Sequence, residues 1–188
     1  KKTGMKVAIM QPYFLPYIGY FNLISSVDTF VVYDNIKYTK KGWINRNRML
    51  CNGQDQLFSL PIRKDTDSLD ICCRELSPLF NRKKLLNQFK SNYRKANNYN
   101  QIYQLLENII LYDDDNLFEY IYNSIRVVCQ YLDINTNIII SSKIKSNHLL
   151  SGQERVLDIC RTLKAKIYIN SIGGNFLYSS YEFRNNGI

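Results

Sequence analysis

Val7-Ala8-Ile9-Met10-Gln11-Pro12-Tyr13-Phe14-Leu15-Pro16-Tyr17-Ile18-Gly19-Tyr20-Phe21 is the stretch from which the rest of the chain is read. A short apolar run stops at Pro12 and Pro16, which fix φ and end regular structure, and apolar residues at helical spacing resume from Tyr17. The stretch reads as strand, stiff loop and helix. In sheets built from such units, ligands bind at the carboxyl ends of the strands. There a loop opens into a helix N-terminus whose free N–H groups favour anions. Gln11, Pro12, Tyr13, Phe14, Tyr17, Gly19 and Tyr20 are therefore the first candidate ligand-binding residues. A rigid aromatic connector that only packs a helix on a sheet would show the same spacing.

Working outward, residues 17–27 carry Tyr20, Phe21 and Ile24 on one helical stripe, and residues 29–33 form a second apolar run. Strand, crossover helix and strand this close together predict a right-handed βαβ unit with parallel strands. The second strand ends at Asp34, so Gln11 and Asp34 are expected at one rim, with Asp34 a candidate for both binding and catalysis. From Asn35 to Asn47 a basic loop interleaves cations with amides and aromatics and holds the single Trp. Tyr38 and Trp43 offer stacking faces, and Lys40 and Arg46 offer charge. Asn45 and Asn47 flank Arg46 with short hydrogen-bonding amides, so all six are candidate ligand contacts. An ordinary basic hairpin anchored by Trp43 is the plainer alternative.

Asn52-Gly53 between residues 48–51 and 56–62 predicts a tight hairpin, because Asn-Gly supplies the positive φ values such turns need. Residues 69–76 are expected as a further strand. Residues 79–95, 99–111 and 115–132 have helical periodicity, the last opening on Asp113-Asp114-Asp115, whose charge suits a helix N-terminus better than a metal site. Residues 136–140 are a β-branched strand ending in Ser141 and Ser142, both candidate ligand contacts at the carboxyl rim. Ser151 is expected to cap a helix over residues 151–163. A strand over 166–170 and a glycine loop over 171–178 then close a second βαβ unit. His148, the single histidine, lies in the loop before that helix as a candidate proton shuttle. Gln11, Tyr13, Asp34 and Ser141 are expected to line one pocket.

The 188 residues are 45% hydrophobic and 22% charged, enough for one well-filled core. The expected organisation is a single α/β domain over residues 5–188 with a helical insertion at about 79–133. Residues 1–4 precede Met5, which looks like a natural start, and read as a cloning remnant. A net charge of +9 predicts an anionic partner. The cations are dispersed and no RNP, KH or helix-turn-helix signature stands out, so a nucleic-acid-binding module is the lesser reading. Five cysteines without C-x-x-C spacing suggest reduced thiols and a cytoplasmic protein, and no metal is expected. No transmembrane run of about eighteen apolar residues occurs, and the sequence names no cofactor. A homodimer is left open.

Met-Gln-Pro-Tyr-Phe-Leu-Pro-Tyr-Ile-Gly-Tyr-Phe at 10–21, Val-Asp-Thr-Phe-Val-Val-Tyr-Asp at 27–34 and Trp-Ile-Asn-Arg-Asn-Arg at 43–48 resemble the WbqC-like protein family. So do Ser141-Ser142, Arg-Val-Leu-Asp-Ile-Cys at 155–160 and Tyr-Ile-Asn-Ser-Ile-Gly-Gly-Asn-Phe-Leu-Tyr at 168–178. Members occur in gene clusters for O-antigen and related surface polysaccharides. The resemblance thus implies an enzyme of lipopolysaccharide or O-antigen biosynthesis acting on a nucleotide-linked sugar, a transferase of an acyl or aminoacyl unit to an amino sugar. Members commonly continue with a further strand beyond the Asn-Gly-Ile at 186–188. The opening is also similar to the nucleotidyltransferase superfamily, implying a mainly parallel Rossmann-like sheet with a small antiparallel annex and a helical middle section. Tyr17-Ile18-Gly19-Tyr20 stands where that superfamily has His-x-Gly-His. Neutral tyrosines cannot replace imidazolium against developing phosphate charge. A nucleotide-binding protein without nucleotidyl transfer is the alternative that follows.

Overall fold

The computed structural model describes residues 4–174 and 176–188. Lys1–Thr3 of the supposed remnant and Asn175 of the glycine loop lie outside the described residues. In chain order the elements are β1 (Lys6–Met10), α1 (Ile18–Ser25), β2 (Thr29–Val32), β3 (Arg46–Cys51) and β4 (Gln54–Ser59). They continue with α2 (Arg82–Tyr93), α3 (Tyr99–Ile110), α4 (Leu117–Tyr131), β5 (Asn137–Ile140), α5 (Gly152–Thr162), β6 (Ile167–Tyr168) and α6 (Ser180–Asn185). The chain divides into two compact units. One holds residues up to Gln11 with Tyr17–Asp34 and Ile134–Ile188, and the other holds Pro12–Pro16 with Asn35–Asp133.

The first unit is a four-stranded sheet in the order β5-β2-β1-β6, parallel at every pairing. Met10 pairs with Val32 and Val32 with Ile140, so the three strands end level. All four residues of β2, Thr-Phe-Val-Val, are buried, as a central strand covered on both faces requires. Alternation sends Val7, Ile9 and Val31 to one face, against Val156, Leu157, Ile159 and Cys160 of α5 and Phe183 of α6. Phe30 faces the other way and meets the Tyr20 ring of α1 edge-on at 5.4 Å. Helices therefore cover both faces. β6 is two residues long, shorter than the 166–170 run expected. Ser151 stands at the N-cap of α5 without a side-chain cap bond, because the helix starts through Gly152 at φ 53°, a left-handed entry.

The second unit joins the hairpin β3–β4 to helices α2, α3 and α4. Asn52 and Gly53 turn it with φ of 51° and 79°, the paired positive values of a two-residue hairpin. Residues 69–76 are not a strand. They hold a 3₁₀ turn at Ile71–Cys73 between isolated bridges, with Ile71 and Arg74 buried three apart, the period of that turn and not of a strand. The acidic triad does not cap α4 with its carboxylates. Asn116 takes the cap, accepting from Glu119 N–H at 3.0 Å, while Asp114 Oδ1 accepts from Asn116 N–H and Asp115 pairs with Arg82 at 3.0 Å.

Candidate functional site

In the first unit the level strand ends set Gln11 just past β1, Asp34 two residues past β2 and Ser141 directly past β5. Asp34 is 2% exposed, and its Oδ1 accepts from Ser142 N–H at 2.9 Å, which ties the β2 and β5 ends together. Oδ2 has no hydrogen bond among the described residues. Ser141 is fully buried, its Oγ without a partner among the described residues. Past β6, the Asn170 amide lies so close to Gly174 that a Cβ there would stand 2.3 Å from its nitrogen, and that nitrogen is buried without a partner among the described residues. Buried polar atoms with unspent hydrogen-bonding capacity are rare, and two of them stand just past strands of the parallel sheet. Along β6 itself runs a cavity of about 530 Å³ walled by Tyr168, Asn170, Tyr178, Phe183 and Arg184. Burial pushes the Tyr168 hydroxyl well above the usual phenol range.

Tyr17 and Tyr20 separate sharply. Tyr20 is 1% exposed, its hydroxyl donating to Gln11 O at 2.9 Å, so it is a core brace. Tyr17 is 64% exposed, and its ring lies over Gly19, where a Cβ would stand 2.2 Å from the ring. His148 lies on the surface with both ring nitrogens engaged. Arg155 Nη2 donates to Nδ1 at 3.0 Å, which makes Nε2 the protonated nitrogen, and that donates to Ile144 O at 3.0 Å. Arg155 is the residue sequence reading passed over. Its signal is position: it shares the buried α5 stripe with Ile159 four residues on, where a cation has no ordinary reason to be.

Pro12, Tyr13 and Phe14 belong to the second unit. Phe14 is fully buried, stacked on Tyr120 at 5.6 Å, and its N–H donates to Ile44 O at 3.0 Å. Asn47 Nδ2 donates to the carbonyls of Phe14, at 3.1 Å, and Leu15, so it clasps the proline loop. Asn45 is 7% exposed; Tyr38 donates to its Oδ1 at 2.7 Å and its Nδ2 donates to Leu60 O at 2.7 Å. Arg46 donates from Nε to Gly42 O at 2.6 Å and from Nη2 to Lys41 O. Burial raises the Tyr38 hydroxyl, with Arg74, Arg46 and Lys40 opposing. Lys40 pairs at the surface with Asp67 at 2.6 Å and holds that carboxyl below its ordinary value. Trp43 is 45% exposed, with Arg46 and Arg48 at 5.4 and 6.0 Å from its ring centre, an aromatic face flanked by cations.

These features define an α/β protein with a parallel sheet whose carboxyl rim is rich in buried polar groups. The chain belongs to the WbqC-like protein family, which it matches over residues 11–188. It is similar to a protein of Mycobacterium tuberculosis (strain ATCC 25618 / H37Rv) called Uncharacterized protein Rv1507c. The two are 30% identical over 168 residues, 88% of this chain and 71% of that protein. No solved structure matches the chain. No helix among the described residues is long and apolar enough to cross a membrane.

Proposed function

We propose that this chain is a cytoplasmic enzyme of bacterial surface-polysaccharide biosynthesis that binds a nucleotide-linked sugar at the carboxyl rim of its parallel sheet. It transfers an acyl or aminoacyl unit from an activated donor to an amino sugar. The observation that supports this is the rim itself, where Ser141 past β5 and Asn170 past β6 bring a hydroxyl and an amide with unspent capacity, and the Asp34 carboxylate stands beside Ser141 at the neighbouring β2 end. A sugar presents hydroxyls at matching density, and buried polar groups discriminate for partners that satisfy them. The strand order reverses beside β1, which gives the Rossmann-like reading its footing, since open parallel sheets bind nucleotides at such reversals.

In this reading Asp34 is the base. Its Oδ1 is held by Ser142, and Oδ2 takes the proton from the sugar amine as the new N–C bond forms and the bond from the acyl carbon to its carrier breaks. Thermal shift and native mass spectrometry against a panel of nucleotide sugars, with an oligonucleotide control, test it, because a ligand for the folded state raises apparent stability. Stabilisation by a nucleotide sugar and not by the oligonucleotide is the expected result. Stabilisation by the oligonucleotide alone overturns it.

A further inference from the structure

Arg155 sits in the first turn of α5 with 1% of its surface exposed, and no Asp or Glu among the described residues forms an ion pair with it. Nη2 donates to His148, whereas Nη1 is buried without a hydrogen-bond partner among the described residues. A buried guanidinium with a spare donor is unfavourable until an anion meets it. Its place in the helix adds a second cost of the same sign, because a cation opposes the positive end of the helix dipole. Glu154, the acidic residue of that turn, is exposed and forms no ion pair with Arg155 among the described residues. One anion at this spot removes both costs.

His148 gives access to it. The ring is a neutral surface cover whose Nδ1 occupies Nη2, and its Nε2–H shares the Ile144 carbonyl with Ser146 N–H, which donates at 2.8 Å. Ser146 Oγ is itself buried and has no partner among the described residues. When the ring turns outward, Nη2 is released beside Nη1, a two-nitrogen fork that fits two oxygens of a phosphoryl group, with a hydroxyl and the first N–H groups of α5 close by in sequence.

We propose that Arg155 anchors a phosphoryl group and that His148 is its movable cover. The identity of the whole ligand rests on the nucleotide-sugar reading above; the anion site itself does not. Inorganic pyrophosphate is the probe, acetate the control, and Arg155→Met the variant, since methionine fills the buried space without charge. The expected result is that pyrophosphate, not acetate, raises the melting temperature of the wild-type chain. Arg155→Met is expected to weaken pyrophosphate binding by about 10- to 100-fold while melting no lower than wild type without it.

Equal pyrophosphate binding by both proteins, or equal stabilisation by acetate, overturns the anchor. If Arg155→Met does not fold, hydrogen exchange on the wild-type chain decides. Protection of residues 144–156 by pyrophosphate supports the anchor and its absence overturns it. The nucleotide-sugar panel separates the two readings. Arg155-dependent pyrophosphate binding with a silent panel overturns the substrate and leaves the anchor. Nucleotide sugars bound equally by wild type and variant overturn the anchor and leave the substrate.

Discussion

Asn45→Leu is the sharpest perturbation of the basic loop. The side chain is nearly isosteric, and the residue is 7% exposed, so the change alters hydrogen bonding more than packing. It strands two groups: the Tyr38 hydroxyl, which donates to Asn45 at 2.7 Å, and the Leu60 carbonyl, which accepts from it at 2.7 Å. Each buried orphan costs about 1–3 kcal/mol, and the added apolar burial returns about 1 kcal/mol, so a net loss of about 1–5 kcal/mol is expected. Urea denaturation reads this as a lowered midpoint at unchanged slope. Tyr38→Phe alone should cost less, since it orphans only one lone pair of the amide. The double variant should then fall short of the summed losses by about 1 kcal/mol or more, the mark of a shared bond. A loss under about 1 kcal/mol, or strict additivity, would refute the brace. An intact midpoint with lost ligand affinity would return Asn45 to the ligand.

Phe14→Ala should destabilise the chain by about 3–5 kcal/mol in the same assay, because a fully buried ring leaves a cavity against Tyr120. Gly19→Ala should barely move the melting temperature, since only the exposed Tyr17 ring must shift; if Tyr17 contacts ligand, isothermal titration will show affinity falling alone. Burial pushes the Cys129 and Cys160 thiols up to about 11 and about 12, so mass spectrometry of the native chain after alkylation should find both unlabelled while Cys73, exposed, reacts. The raised Cys160 value means the folded chain keeps a proton that the unfolded chain surrenders. Its contribution is complete below the ordinary 9.0, fades as pH rises toward about 12, and should be absent from the pH profile of Cys160→Ala.

The local units were legible because their physics is local. Apolar runs between helical periods gave β1, β2 and β5, and Asn52-Gly53 gave the hairpin. Neighbour relations were less legible. Val32 pairs with Ile140 across the whole second unit, and no nearby residue encodes that partner. Residues 69–76 failed because a 3₁₀ turn at Ile71–Cys73 interrupts them and the apolar content alone cannot separate this from a strand. Among the candidate residues, amides and rings were found by type, but type does not say whether a hydrogen bond is already spent. Asn45, Asn47 and Tyr20 are committed to their own backbone or neighbours, whereas Arg155 shares the buried side of α5 with apolar residues.

Pro12–Pro16 leaves the first unit for five residues and returns, so the second unit is bounded by four junctions, after Gln11, Pro16, Asp34 and Asp133. The longer segment, Asn35–Asp133, is therefore not a transplantable cassette. Cut out alone, it lacks the plug that Phe14 supplies to Tyr120 and the carbonyls that Asn47 clasps. Gene fusions or truncations drawn at Asn35 will yield a fragment with an open seat, one that a short peptide bearing the proline loop is shaped to fill in trans.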